Sequence, residues 1–308
     1  MDRSRFHGIF PPILTPLHDD QSIDHESLAS LVDHMIGEGV HGIWAMGTTG
    51  EFACFDADER EAAIATTVKA TRGRVPVIAN VGDASTHLTL EHARRGAKAG
   101  ADAIAATPPY YYMNSETELD GFYRDIAKAV SLPLFLYHIP QTVKVKVTPP
   151  FIRKLSQDGI IAGLKDSQND FEWFRKVLLD AKEDGVDLRC FLGTTGLIDV
   201  STYAGAAGSI PGISNVTASA CVAAYEAARA GDTAGAARHQ ARVLAAAGLA
   251  GVVKGASPIG SNFAAMKAYL VSLGVIKSAA CRAPFRAPTA EESARAVEII
   301  SRAVGAAV

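Results

Sequence analysis

The sequence predicts an α/β fold, a (β/α)8 TIM barrel with a C-terminal helical extension. Short apolar runs typical of buried parallel strands recur eight times along the first three quarters of the chain. Amphipathic segments of helical period lie between them, so strand and helix alternate at intervals of roughly 20 to 35 residues. Eight such units are the number that closes a barrel of this kind.

The predicted elements follow one another in regular order. The strands cover residues 9–15, 40–46, 76–81, 103–107, 133–138, 160–165, 188–192 and 208–213. The clearest helices cover residues 24–38, 56–71, 87–99, 116–130 and 171–181. Asp24 and Asp56 stand at the first two helix starts, where an aspartate caps free backbone N–H groups. Gly39, Gly73 and Gly100 stand where helices should end.

The residues after the eighth strand predict helices without a further strand. The chain is very Ala-rich over residues 218–251, and helical patterns continue over 266–273 and 291–304, with an extended connection over 282–288. We therefore expect a barrel carrying the active site over residues 1–228 and a C-terminal helical domain over 229–308. A doubly wound open sheet is the competing architecture. It would want a Gly-rich dinucleotide turn after its first strand, where the chain has Ile-Leu-Thr-Pro-Leu.

The composition is that of a globular protein. Of the 308 residues, 48% are hydrophobic and 20% are charged, and the net charge of -3 argues against nucleic-acid binding. The four cysteines form no Cys-x-x-Cys pair, so we expect reduced thiols rather than a zinc site or a disulfide scaffold. The nine histidines are dispersed, and no metal site is expected. Without an apolar segment that could serve as a signal or span a bilayer, we expect a cytoplasmic protein with no membrane partner.

Lys165 is the first candidate for catalysis, because barrel enzymes act at the carboxyl ends of their strands. It follows an apolar run, 160–164, that should be buried as parallel strands are. Burial lowers the pKa of an amine and frees it to form a Schiff base with a ketone. An ion pair of Lys165 with Asp166 or another carboxylate at the rim fits the position equally well.

Other strand ends carry polar side chains, and each of these has both a functional and a structural interpretation. The turn Gly-Thr-Thr-Gly at 47–50 can aim N–H groups and hydroxyls at a carboxylate or phosphate, but it is also an ordinary turn. Tyr137 could relay protons beside an ammonium group or belong to the core. The tyrosines at 110–112 are most simply packing residues at the barrel mouth, and His138 a rim histidine with satisfied hydrogen bonds.

Four short motifs occur in order along the predicted strand ends. They are Gly-Thr-Thr-Gly-Glu at 47–51, Pro-Tyr-Tyr at 109–111, Tyr-x-x-Pro at 137–140 and Gly-Leu-Lys-Asp at 163–166. Together they resemble the dihydrodipicolinate synthase / N-acetylneuraminate lyase family of class I, Schiff-base-forming enzymes. The resemblance implies a barrel with a helical C-terminal domain, a homo-oligomer such as a tetramer or dimer, and pyruvate or another 2-oxo acid as substrate. It implies no cofactor besides the covalent imine.

The resemblance also implies roles for particular residues. Lys165 would form the imine, and Tyr137 would transfer protons. Gly47, Thr48 and Thr49 would hold the pyruvate carboxylate, with Thr48 joining the proton relay. The remaining positions are Tyr111, which would enter the active site of a neighbouring subunit, and Gly193 and Ile210, which would line the pocket.

Two departures from the family pattern bear on the substrate. Dihydrodipicolinate synthases carry an arginine two residues after the proline of Tyr-x-x-Pro, where it binds a carboxylate, whereas this chain has Thr142. Sialic acid lyases carry an acidic pair after the glycine of strand seven, whereas this chain has Gly-Thr-Thr-Gly at 193–196. We therefore expect cleavage or dehydration of a 2-keto-3-deoxy sugar acid or a 4-hydroxy-2-oxo acid. The candidate contacts to such a substrate are Gln141, Thr142, Thr194 and Thr195.

Three alternatives stay open. Dihydrodipicolinate synthase activity would need Lys144 or Lys146 to replace the missing arginine. A non-catalytic barrel of the same ancestry could bind a 2-oxo acid as a sensor or partner protein, and the unusual segment 141–146 is the argument for it. A phosphate-binding barrel enzyme without a Schiff base rests on the glycine-rich strand ends alone.

Overall fold

The computed structural model describes residues 3–305, and in this range eight parallel strands form one sheet that closes into a barrel. The strands are β1 (Gly8–Ile9), β2 (Ile43–Ala45), β3 (Val77–Asn80), β4 (Ala103–Ala106), β5 (Leu134–His138), β6 (Gly163–Asp166), β7 (Arg189–Leu192) and β8 (Gly208–Ser209). From β2 to β8 each strand pairs with the next one along the chain, and β8 pairs with β1. The predicted barrel is confirmed.

The seam between β1 and β2 is held by hydrogen bonds outside the regular strands. Trp44 donates its backbone N–H to the carbonyl of Pro11 at 2.9 Å and accepts the N–H of Ile13 at 3.0 Å. The predicted first strand, 9–15, is wrong in extent, because prolines at positions 11 and 12 have no N–H to continue a ladder. The predicted last strand, 208–213, is shortened in the same way before Pro211.

Helices surround the barrel and continue after it. They are α1 (His25–Gly37), α2 (Ala57–Thr71), α3 (Thr86–Lys98), α4 (Glu116–Ala129), α5 (Pro140–Val143), α6 (Pro149–Gln157), α7 (Phe171–Glu183), α8 (Ile198–Tyr203), α9 (Ser214–Arg229), α10 (Thr233–Ala245), α11 (Pro258–Ser272) and α12 (Ala290–Gly305). Both predicted aspartate caps are confirmed: Asp24 accepts the N–H of Ser27, and Asp56 forms a reciprocal capping box with Glu59. Gly100 has a φ of +89° directly after α3, a conformation that favours glycine.

Four helices differ from the sequence prediction. The pattern did not single out α5, α6 and α8, which are short. Helix α11 starts at Pro258, well before the predicted start at 266, because its first turns carry small residues such as Gly260 and Ser261 without an apolar period. These small residues are buried, which places α11 close against its neighbours.

Helix α11 is the part of the C-terminal region that matters for the site. Its side chains Asn262, Phe263 and Met266 line the same cavity as Lys165. The predicted division of the chain between residues 228 and 229 falls at the end of α9 and stays a prediction. In the described part of the chain, none of the helices combines the length and the apolarity needed to cross a bilayer.

Candidate active site

Lys165 lies in the middle of the barrel. It stands on β6 in register with Tyr137 on β5 and Phe191 on β7, and it is 3% exposed. Its side chain contributes to a cavity of about 480 Å³ at the carboxyl ends of the strands. Burial lowers the pKa of Lys165 from 10.5 to about 7, because the charged form loses its hydration. A large fraction of the amine is therefore neutral and nucleophilic at neutral pH.

The ion pair of Lys165 with Asp166 is not formed. Successive strand residues face opposite sides of the sheet, so Asp166 points away from the barrel interior. Its carboxylate bonds to Nδ1 of His138 at 2.9 Å, and both side chains are fully buried. The His138 ring also stacks on Trp173 with 4.7 Å between ring centroids. The interpretation of His138 as a satisfied histidine is confirmed.

Two aromatic rings contact the amine of Lys165 instead. Its Nζ lies 4.1 Å from the ring centroid of Tyr137 and 4.5 Å from that of Trp44. Sequence reasoning missed Trp44, because a tryptophan in a buried apolar strand is expected to be a core residue. The two rings meet edge to face, 5.5 Å apart, and form a corner around the nitrogen.

Tyr137 links the lysine to the turn after β2. Its phenol oxygen lies 3.2 Å from the hydroxyl of Thr48. Burial raises the pKa of Tyr137, while hydrogen bonds with Thr48 and Ser167 oppose this shift. A protonated phenol in this position can pass a proton to or from a group bound at Lys165.

The turn at 47–51 is fastened from several sides. Thr15 donates its hydroxyl to the carbonyl of Gly50 at 2.8 Å, and the carboxylate of Glu51 pairs with Lys267 of α11 at 2.5 Å. Thr48 and Thr49 line the cavity. Gly47 packs instead against Trp44, whose indole a Cβ at this position would approach to 2.7 Å. The glycine thus lets the turn lie close over the ring that contacts Lys165.

Apart from Lys165, the cavity is lined by uncharged side chains, polar and apolar. Of the predicted contacts, Gln141, Thr194, Thr195, Gly193 and Ile210 all line it. Gly193 is required by close packing, because a Cβ there would lie 2.2 Å from the hydroxyl oxygen of Ser167.

Sequence reasoning missed Ser167, Asn169 and Asn262, which line the same cavity. Asn169 accepts the hydroxyl of Thr194 at 2.8 Å, and its φ of +66° marks a turn. Ser167 directly follows the Lys-Asp pair and could have been found from its position at a strand end. Asn262 comes from α11 and carries no comparable signal, because its approach to the barrel is a tertiary contact.

Thr142 and Tyr111 are not brought to Lys165. Both line a second, more apolar cavity of about 520 Å³, which shares Thr48 and Ile139 with the first. The Thr142 hydroxyl donates to the carbonyl of Ile139 at 3.1 Å. Tyr111 is 85% exposed and has a φ of +85°. The predicted role of Tyr111 in the active site of a neighbouring subunit stays a prediction.

The donor sets for metals and disulfides are sparse. Within residues 3–305, His, Cys, Asp and Glu side chains do not gather in groups of three or more that could hold a metal ion. The four cysteines are free: Cys54 is partly exposed, while Cys190, Cys221 and Cys281 are buried. The reduced state of these thiols stays a prediction.

The fold and the cavity define a class of enzyme. A parallel barrel that brings a buried lysine of lowered pKa, a phenol and a hydroxyl-bearing turn together at its strand ends has the parts of a class I, Schiff-base-forming lyase. Comparison with known proteins gives the family. The model of the dihydrodipicolinate synthetase family matches residues 5–303. The chain belongs to this family of lyases and aldolases, which confirms the predicted family and enzyme class.

Individual relatives cover most of the chain. A probable 2-dehydro-3-deoxy-D-pentonate aldolase of Escherichia coli K12 is 32% identical over 241 residues, 78% of this chain and 80% of the relative. The dihydrodipicolinate synthase of Bacteroides thetaiotaomicron superposes with a TM-score of 0.89 and 32% identity, covering 96% of this chain and 98% of that one. YagE of E. coli K12, a family member solved in complex with pyruvate, has a TM-score of 0.90 and 26% identity over 97% and 98% of the two chains.

Proposed function

We propose that the protein is a class I lyase in which Lys165 forms a Schiff base with pyruvate or another 2-oxo acid. The observation that carries this proposal is the buried amine of lowered pKa at the base of an open cavity, with its neighbouring carboxylate held by His138. The neutral amine attacks the ketone carbon, and the carbinolamine takes up a proton and loses water to leave a protonated imine. This imine accepts the electron pair of a breaking C–C or C–H bond.

The remaining residues hold and protonate the substrate. Thr48 and Thr49 bind the carboxylate of the 2-oxo acid beside the imine, and Tyr137 moves the proton through its contact with Thr48. No further cofactor enters this chemistry. A cytoplasmic location belongs to the same proposal and is supported by the four free thiols.

The test is reductive trapping. The protein is incubated with pyruvate and sodium borohydride, and its intact mass and peptide map are measured. A pyruvate-sized adduct on Lys165 is expected. A folded protein that forms no adduct with pyruvate or with other 2-oxo acids would contradict the proposal.

Tyr137→Phe should lower kcat by roughly 10²- to 10⁴-fold, the usual contribution of a positioned proton donor. The variant keeps the ring that contacts Lys165 and loses the hydroxyl that contacts Thr48. Steady-state turnover measures the effect. Tyr123→Phe is the matched control. Tyr123 lies on α4 and is also fully buried, but its hydroxyl donates to the carbonyl of Ala106 on β4. Equal losses in the two variants would remove the special role of Tyr137.

The outer cavity favours a hydroxylated substrate without a second charge. Gln141, Asn169, Thr194 and Asn262 offer neutral donors and acceptors. Thr142 is uncharged and offers no cationic clamp for a second carboxylate, and Lys144 lies with it at the other cavity. We therefore assign a 2-keto-3-deoxy sugar acid as the substrate class. Turnover of a panel tests it: these acids, 4-hydroxy-2-oxo acids with no further hydroxyls, and pyruvate with aspartate semialdehyde. The highest kcat/KM for the semialdehyde would identify a dihydrodipicolinate synthase instead.

A homo-oligomer, a tetramer or a dimer, is part of the proposal. Tyr111, Tyr112 and Met113 are exposed together beside the more apolar second cavity, a surface suited to contact with another copy. Tyr111→Asp should then lower the mass in solution, to that of a dimer if the wild type is a tetramer or to that of one chain if it is a dimer, as light scattering would show. Tyr203→Asp, at another exposed tyrosine, should leave the mass unchanged. A wild-type protein that is already monomeric would reject this assembly; one structural neighbour, 26% identical, is a monomeric dihydrodipicolinate synthase variant.

A further inference from the structure

Trp44 occupies an unusual place for a core tryptophan. It is fully buried on β2, yet its ring centroid lies 4.5 Å from the Nζ of Lys165. The ring of Tyr137 covers a second side of the same nitrogen at 4.1 Å. The reacting atom of the proposed mechanism is therefore in contact with two aromatic rings.

We propose that Trp44 is a further catalytic residue, whose indole ring stabilises the positive charge on the Lys165 nitrogen, first as ammonium and then as protonated imine. The part of this inference that concerns the protonated imine rests on the proposed function. The face of an aromatic ring attracts a cation, tryptophan most strongly, and the attraction grows when the cation is removed from water. Imine formation consumes a proton and creates a cation from a neutral amine, so a group that favours the cation shifts this equilibrium toward the imine.

The side chains beside Lys165 on the neighbouring strands leave the stabilisation of its positive charge to the two aromatic rings. Asp166 and His138, the titratable pair beside Lys165 in the sheet, bond to each other on the opposite face. On β7 the residue in register is Phe191, which carries no charge. The titratable group that faces the amine from β5 is Tyr137, whose hydroxyl is bonded to Thr48.

The backbone holds the indole in place. The backbone N–H and the backbone carbonyl of Trp44 are both hydrogen-bonded to the residues after β1, at the seam of the barrel. Gly47 covers the Cδ1–Nε1 edge of the indole so closely that a Cβ there would come within 2.7 Å. The ring cannot swing away from Lys165 without moving this turn.

The sign of a pKa change tests the proposal. Competitive acetylation across a pH series, with peptide mapping, reports the protonation of Lys165 without any substrate. Trp44→Leu should lower the pKa of Lys165 by roughly one unit, because the charged form loses its ring contact. If Trp44 only excluded water, the same variant would admit water and raise this pKa. An unchanged or raised value overturns the proposal.

Two further variants control for misfolding and for effects on the pKa of Lys165 that any loss of a nearby ring would cause. Fluorinated tryptophans, incorporated into a Trp173→Phe background, weaken the ring's attraction for cations at nearly constant shape, and the pKa of Lys165 should fall with each added fluorine. Phe191→Leu removes a ring in register with Lys165 that packs on Phe10 and Phe135, and it should leave this pKa unchanged.

Borohydride trapping separates the two proposals. At about pH 9, where Lys165 is neutral in both proteins, Trp44→Leu should weaken the apparent affinity for pyruvate roughly tenfold, in line with a one-unit change in the stability of the cation. A wild-type protein that forms no adduct would reject the Schiff base, while acetylation would still show whether Trp44 stabilises the ammonium form. If the wild type and Trp44→Leu form the adduct equally well, Trp44 does not stabilise the imine.

Discussion

Lys165→Met should abolish the pyruvate adduct and lower turnover by at least about 10⁴-fold, the scale seen when a covalent nucleophile is removed. Methionine has a similar length and fills the buried site on β6, but it has no amine to attack a ketone. Trapping by borohydride and steady-state turnover measure the two effects. Residual turnover within tenfold of the wild type would show that the reaction does not pass through an imine at this lysine.

The same variant should be more stable than the wild type. The pKa of Lys165 falls from 10.5 to about 7 on folding, so between these values the unfolded chain binds a proton that the folded chain has released. The buried amine therefore opposes folding at neutral and lower pH, and this opposition fades as the pH rises toward 10.5. Lys165→Met should exceed the wild type in free energy of unfolding by about 3 to 5 kcal/mol at pH 7.

Urea denaturation from pH 6 to pH 10 measures this difference, which should narrow as the pH rises. Lys154→Met is a useful control, because Lys154 is more than half exposed and pairs with Asp120 on the surface. Its effect should stay within about 1 kcal/mol and show no such narrowing. A wild type that is at least as stable as Lys165→Met at pH 7 would contradict the proposed burial of a reactive amine. The predicted gain means that the lysine is kept for chemistry and not for stability.

The parts of the site that could be predicted from the sequence lie next to one another along the chain or at the ends of obvious strands. Lys165 and Tyr137 follow apolar runs, and their side chains face inward because of the two-residue period of a strand. The same alternation would have excluded the ion pair with Asp166, since neighbours in a strand cannot face one cavity.

The parts that could not be predicted depend on contacts between distant segments. Trp44 reads as core until the barrel closes and places its ring beside Lys165. Asn262 reaches the cavity because α11 covers the barrel mouth, and no local pattern records that position. Tyr111 and Thr142 belong to strand-end segments as expected, but the chain directs both to a second cavity.

One buried ion pair joins α11 to the turn that carries Thr48 and Thr49. Lys267 lies 2.5 Å from Glu51, both side chains are 0% exposed, and Lys267 also donates to the carbonyl of Ala280 at 2.8 Å. The second carboxylate oxygen of Glu51 accepts the N–H of Arg282 at 2.8 Å. Each charge is thus compensated only while its partner is present, and the pair ties two walls of the cavity together.

Lys267→Met should destabilise the protein by about 3 to 5 kcal/mol, because it leaves the Glu51 carboxylate buried without its cation. Lys277→Met is the matched control: its pair with Glu26 has the same 2.5 Å separation, but the side chains are 59% and 80% exposed, and the expected loss is within about 1 kcal/mol. Urea denaturation compares the two. The double variant Glu51→Gln/Lys267→Met should recover much of the loss, since no isolated charge remains. Equal losses at the two sites would mean that burial does not set the strength of this contact.

If Lys267→Met is much more destabilising than Lys277→Met, the KM for pyruvate of folded Lys267→Met should also rise, because the ion pair with Glu51 holds the turn that carries Thr48 and Thr49 in place.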